Sequence, residues 1–217
     1  TAPEVFEREL TTSLLAHGRH IMANLEDGAE FRGNHYLADV CGLAFTAAAL
    51  APGDEAQQWW RFALREIIAE SHVQFGADGA NREGSTSYHR LSAEMLAWTV
   101  ALVVGRDGPA ALPADFGGRL LAMAMFSQDA TKPDGRVVQI GDNDSGRFFK
   151  LGPGDFDDDL TQDALDHGAL PITIAALLDV SGGVAIAGKG GERFAIEHAI
   201  CTALAGSQKL AADATPP

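Results

Sequence analysis

The chain has 217 residues, 46% of them hydrophobic and 21% charged, enough to bury a real core as one large domain or two small ones. Its 16 Lys and Arg stand against 30 Asp and Glu, a formal net charge of −14, which disfavours nucleic acid as a partner because phosphate binding needs clustered cations. No apolar run reaches the ~18 residues of a membrane span, no CxxC or HExxH spacing marks a metal site, and nothing in the pattern calls for a cofactor.

Taken in order, the chain opens with a helix from Pro3 to Asn24. Phe6, Leu10, Leu14, Leu15 and Met22 fall near 3.6-residue spacing, with Glu4, Glu7 and Glu9 in the early turns. Leu25 to Gly33 reads as a loop. Tyr36 to Ala51 is a second helix, apolar nearly all round after Asp39 and closed by Pro52-Gly53, so it is expected to be an inner helix. Cys41 lies in that apolar pattern and is expected to be a buried free thiol rather than half of a disulfide with Cys201. Asp54 to Phe75 is a third helix with Trp59, Phe62, Ala63, Ile67 and Ile68 as its apolar stripe.

Gly76 to Gly84 is a loop containing an Asp78-Gly79 turn signal, and Ser85 is a natural N-cap for a fourth helix reaching about Val104. A linker to Pro113 leads to a fifth helix from Asp115. The character then changes. Lys132 to Gly135 is a turn, Arg136 to Ile140 is expected to be a short strand, and Gly141 to Arg147 is a polar, glycine-flanked loop. One or two helices are expected over Thr161 to Val180, broken near Gly168 and Pro171. A strand or bend is expected at Val184 to Ala187 and a last helix over Glu192 to Ala205. Asp155 to Asp159 is a solvated acidic loop, and Gly206 to Pro217 reads as a flexible tail. Long helices in succession predict a mainly α fold. Alternation of amphipathic and all-apolar helices suggests outer and inner layers, as in an (α/α) toroid of helical hairpins occupying residues 1–205.

Three clusters gather groups that donate or exchange protons. At Asn34-His35, the amide is either a helix cap or a ligand for an anionic or carbonyl group, and the imidazole is a candidate general base. At Arg82 to His89, Tyr88 either packs with its hydroxyl at the rim or works as an acid or base. Use as a base would need nearby positive charge, for which Arg82, Arg90, His35 and His89 are available. At Gly141 to Arg147, Asp142 and Asp144 form a tight Asx-rich turn in which Arg147 pairs with an Asp, a weak metal loop lacking the later Gly and Glu of an EF-hand, or the paired carboxylates of a glycosidase.

As an ordered set, Asn34-His35-Tyr36-Leu37, the stretch from Asp78-Gly79 to Tyr88-His89, and Gly141-Asp142-Asn143-Asp144-Ser145-Gly146-Arg147 resemble the heparinase II/III-like and related alginate lyase superfamily. The resemblance covers roughly Leu25 to Lys150. It implies an (α/α) toroid acting on an acidic polysaccharide by β-elimination next to a uronic acid. Asn34 matches the amide that neutralises the uronate carboxylate, Tyr88 the catalytic tyrosine, and His35 the histidine that assists or replaces it as base. Arg82, His89, Asp142, Asn143 and Arg147 are the remaining expected substrate contacts. Family members carry a C-terminal β-sandwich that contributes further site residues. None is found in this sequence, which begins Thr1-Ala2-Pro3-Glu4, so a piece of a longer protein is expected. A glycoside hydrolase using Asp142, Asp144 or Glu83, and a non-catalytic glycan-binding module, are the alternatives.

Overall fold

A computed structural model of the chain describes residues 2–28, 32–144, 146–151, 164–181 and 194–213. In order they form α1 (Ala2–Ala23), α2 (Asn34–Ala49), α3 (Asp54–Gln74), α4 (Thr86–Asp107), a 3₁₀ turn (Pro109–Ala111), α5 (Phe116–Asp129), α6 (Ala169–Leu177), β1 (Leu178–Ser181), α7 (Ala195–Ala205) and β2 (Leu210–Asp213). The described chain is mainly α, as the periodicity predicts. No described helix is long and apolar enough to cross a membrane. The expected acidic loop at Asp155–Asp159 and the strand or bend at Val184–Ala187 lie outside the described residues, as do Ser145, residues 161–163, Glu192-Arg193 and the end of the tail from residue 214.

Two compact units divide the chain, residues 1–70 and 71–217. In the first, α1 packs on α2. The inner character expected of α2 is found: Tyr36, Leu37, Val40, Cys41, Leu43, Ala44 and Ala47 are all buried. Gly18 of α1 lets the Trp59 ring approach to where a Cβ would stand, 2.2 Å from it. Arg19 holds the Glu55 carboxylate with two hydrogen bonds across the same face. α2 starts earlier than the periodicity predicts. Gly33 takes the N-cap position and Asn34 is the first helical residue, so the reading of Asn34 as the cap is corrected.

The second unit is built around α4, which is buried along most of its length and packs against α5, α6 and α7. Leu96, Val100, Val103 and Val104 are 0% exposed. Each such side chain contributes about 1.5–3 kcal/mol by leaving water. Pro171 is accommodated in the first turn of α6, where a missing N–H costs no helical hydrogen bond. Cys41 and Cys201 are both buried, and neither is in a disulfide.

Three expectations are corrected here. Arg136–Ile140 is not a strand. Thr131 and Val137 form an isolated antiparallel bridge, and neighbouring N–H groups go elsewhere, Val137 to the Leu165 carbonyl and Val138 to that of Ala130, both at 2.9 Å. The helix expected to run to Val180 stops at Leu177, and Leu178–Ser181 become β1. The expected tail contains β2, paired in parallel with β1 in the register Leu178↔Leu210 to Ser181↔Asp213.

Candidate active-site elements

In the second unit, the chain reverses after α3 through the expected Asp-Gly turn. Asp78 Oδ1 accepts the Ala80 N–H at 3.1 Å, and Gly79 (φ 81) lies against the backbone of Ala122, 2.2 Å from where a Cβ would be. The turn delivers Arg82, which is exposed, and Glu83 to the start of α4. Ser85 caps that helix as predicted, its Oγ accepting the Tyr88 N–H at 3.2 Å. The same hydroxyl donates to the Asp142 carbonyl at 2.5 Å.

The polar loop of the third cluster is therefore fastened along α4. Thr86 and Ile140 exchange bonds, with Thr86 N–H to the Ile140 carbonyl at 3.0 Å and Ile140 N–H to Thr86 Oγ1 at 3.2 Å. Arg90 donates to the Gly146 carbonyl at 3.1 Å. Glu94 accepts from Arg147 Nε at 2.8 Å and from the Phe148 N–H at 3.0 Å. Gly141, at φ 69, has the Gly84 carbonyl only 2.7 Å from where a Cβ would project, so a glycine is required at this contact.

Tyr88 is half-buried at the first turn of α4. Asp144, then burial, then Asp142 and Glu83 push its phenol pKa upward, so the hydroxyl is held in its protonated form. Two of the cations expected to activate Tyr88 as a base, Arg90 and His89, are engaged otherwise within this unit. Arg90 is 0% exposed and gives its hydrogen bonds to the Gly146 and Asp166 carbonyls. His89 is 1% exposed, and burial lowers its pKa to about 4.

His89 is thus placed in the core rather than toward a substrate. Its Nε2 lies 3.2 Å from the Met123 carbonyl and 3.1 Å from Ser127 Oγ, so Nε2 carries the proton, because a carbonyl can only accept. Its ring packs against Phe75 and Phe126. Arg147, also expected at the substrate, has a side chain only 2% exposed and is paired with Glu94 rather than with an Asp. Asp142 and Asp144 are exposed, and Asn143 donates to Gln139 Oε1 at 3.3 Å.

In the first unit, Asn34 and His35 occupy the opening turn of α2. Asn34 is half-buried and His35 exposed. Asp39, four residues after His35 and so on the same helix face, accepts the Glu26 N–H at 2.8 Å. That bond holds the preceding loop against α2 and sets Glu26 Oε2 2.8 Å from His35 Nδ1. A carboxylate accepts, so Nδ1 carries the proton in the neutral ring and Nε2 presents a lone pair. Beneath them Tyr36 donates to Glu66 at 2.9 Å while Arg32, 4.5 Å above its ring, binds Asp27 and Glu66. Reading the sequence missed Glu26, whose partner is nine residues away across a loop. It also missed Glu94, although a lone carboxylate inside the apolar pattern from Leu91 to Leu102 is a visible signal. Among the described residues no group of three or more His, Cys, Asp or Glu is placed to hold a metal ion.

The described chain is mainly helical, with a polar loop strapped along α4 in the second unit and a carboxylate-bound imidazole at the start of α2 in the first. The Heparinase II/III N-terminus family model matches residues 2–148, and the chain belongs to that family. No curated protein and no solved structure matches it.

Proposed function

We propose that the chain carries the catalytic helices of a polysaccharide lyase that cleaves an acidic, uronate-containing glycan by β-elimination. Asn34 donates to the uronate carboxylate, which must be neutralised before charge can flow into it. His35 Nε2 takes the C5 proton, and Glu26 on Nδ1 stabilises the imidazolium that forms. The C5–H electrons become the C4=C5 double bond, the C4–O4 bond breaks, and Tyr88 gives its proton to the departing O4. No water enters. Both side chains are reset by proton exchange with solvent. Arg82, exposed beside the start of α4, serves as a further contact for an anionic glycan.

The observation that carries this reading is the environment of Tyr88. Asp144, then burial, then Asp142 and Glu83 raise the phenol pKa above its ordinary value, which opposes use as a base and leaves the proton available to an acid. Activity that needs this proton is retained until pH rises through the elevated phenol pKa.

Incubation with a panel of uronate glycans should raise ultraviolet absorbance from the new double bond. Tyr88→Phe should lower the rate about 10²-fold or more, the usual weight of a general acid. Full activity in Tyr88→Phe would remove Tyr88 from the mechanism. New reducing ends without the chromophore would make the protein a hydrolase, and binding without turnover would make it a glycan-binding module.

A further inference from the structure

We propose that Glu94, which no substrate can touch, is a positioning residue for Tyr88: through Arg147 and Phe148 it docks residues 146–148 on α4 and so holds the carboxylates of Asp142 and Asp144 near the phenol. The inference rests on the role given to Tyr88 above.

The geometry is a strap. Residues 85, 86, 90 and 94 of α4 and its cap hold residues 142, 140, 146 and 147–148 of the loop in turn. At one end Ser85 Oγ touches both the Tyr88 N–H and the Asp142 carbonyl, so the loop and the tyrosine share one atom. At the other end the strap is closed by an ion pair in which both side chains are 2% exposed. Phe149 continues the docking with an edge contact to Trp98 at 5.2 Å. Taking two charges out of water is costly, and a buried pair of this kind is often no more stable than apolar residues of the same size. Its distinctive product is geometry: a fork that accepts from a guanidinium and a backbone N–H at once admits one loop position. Within this unit the groups acting on the Tyr88 hydroxyl are Asp144 and Asp142 from the loop and Glu83 from the turn before α4. Arg90 and Arg147 are occupied by carbonyls and by Glu94. Two of those three carboxylates therefore depend on the strap.

The test reads the ionisation of Tyr88 directly in the full chain, by NMR of [¹³C]tyrosine protein. The sequence contains two tyrosines, and Tyr88→Phe identifies the resonance. The other, Tyr36, is buried against Glu66 and titrates higher than an ordinary phenol. Asp144→Asn, a change at an exposed residue, should move the Tyr88 midpoint to lower pH. Glu94→Ala should move it the same way, and Glu94→Gln, which keeps one acceptor oxygen, should move it less. Asp144→Asn added to Glu94→Ala should shift the midpoint less than Asp144→Asn does alone. Where Glu94→Ala fails to fold, Arg147→Lys, which keeps the charge but loses the Nε–H bond to Glu94, takes its place. In turnover the alkaline limb of kcat should follow the midpoint, whereas a merely structural role would lower kcat without moving that limb. An unmoved midpoint in Asp144→Asn, or full additivity in the double variant, overturns the proposal. Midpoints that move as expected in a protein that makes no unsaturated product sustain the positioning role and remove the lyase reading instead.

Discussion

At the scale of single residues, Tyr88 and His89 show how adjacent positions on one helix part company. Successive helical residues point about 100° apart, so the pair cannot share a face. Tyr88 meets the polar loop and His89 enters the core. Burial fixes a consequence for stability. An unfolded histidine takes its proton near pH 6.5 and folded His89 near 4, so between these values the unfolded chain binds the extra proton. Stability that is complete above about pH 6.5 is therefore lost as pH falls toward about 4, by about 3 kcal/mol at most from this group. His167, also buried and held well below the ordinary histidine range, adds in the same direction. Urea unfolding midpoints of wild type and His89→Gln across this window check the point. The variant should lose less stability on acidification, and equal acid sensitivity in both proteins would place the proton elsewhere.

At the scale of elements, the first turn of α4 does two jobs through Ser85. Ser85→Ala removes a cap worth about 1 kcal/mol together with the hydrogen bond to the Asp142 carbonyl, so unfolding free energy should fall by about 1–2 kcal/mol. Gly118→Ala in α5, where an added Cβ meets nothing within 4 Å, should instead gain about half a kcal/mol. Denaturant titration reads both, and a Ser85→Ala protein as stable as wild type would contradict the assigned cap. The helices are largely legible because period, caps and turn residues are local signals: Ser85 caps α4 and Asp78-Gly79 turns the chain as the sequence predicts, whereas α2 ends at Ala49, two residues before the end at Ala51 that Pro52-Gly53 predicts. What was not legible is non-local. From sequence β1 reads as the end of a helix and β2 as tail, because each short stretch acquires strand character only from the other. Arg136–Ile140 has the composition of a strand, but its N–H groups find loop and side-chain acceptors instead. The partners of the site residues behave likewise. Glu94 meets Arg147 across 53 positions and Asp142 meets Ser85 across 57, separations that no periodicity encodes.

At the scale of the whole molecule, the charge of −14 repels the acidic glycan that the site is proposed to accept. Attraction must then come from local groups such as Arg82 and the Asn34 amide, while the general field slows encounter. Raising ionic strength from about 0.01 to 0.1 M shortens the screening length from about 30 to 10 Å, and kcat/KM on an acidic glycan should rise over that range. A steep fall would show that a cationic surface governs encounter. Membership of the heparinase II/III family is established by the match over residues 2–148, and β-elimination is the bond-breaking step proposed for it. Mass spectrometry of the products from a defined uronate oligosaccharide tests it most directly. Elimination predicts two fragments whose masses add up to that of the substrate, one of them unsaturated. Fragments that together weigh one water more than the substrate would contradict it.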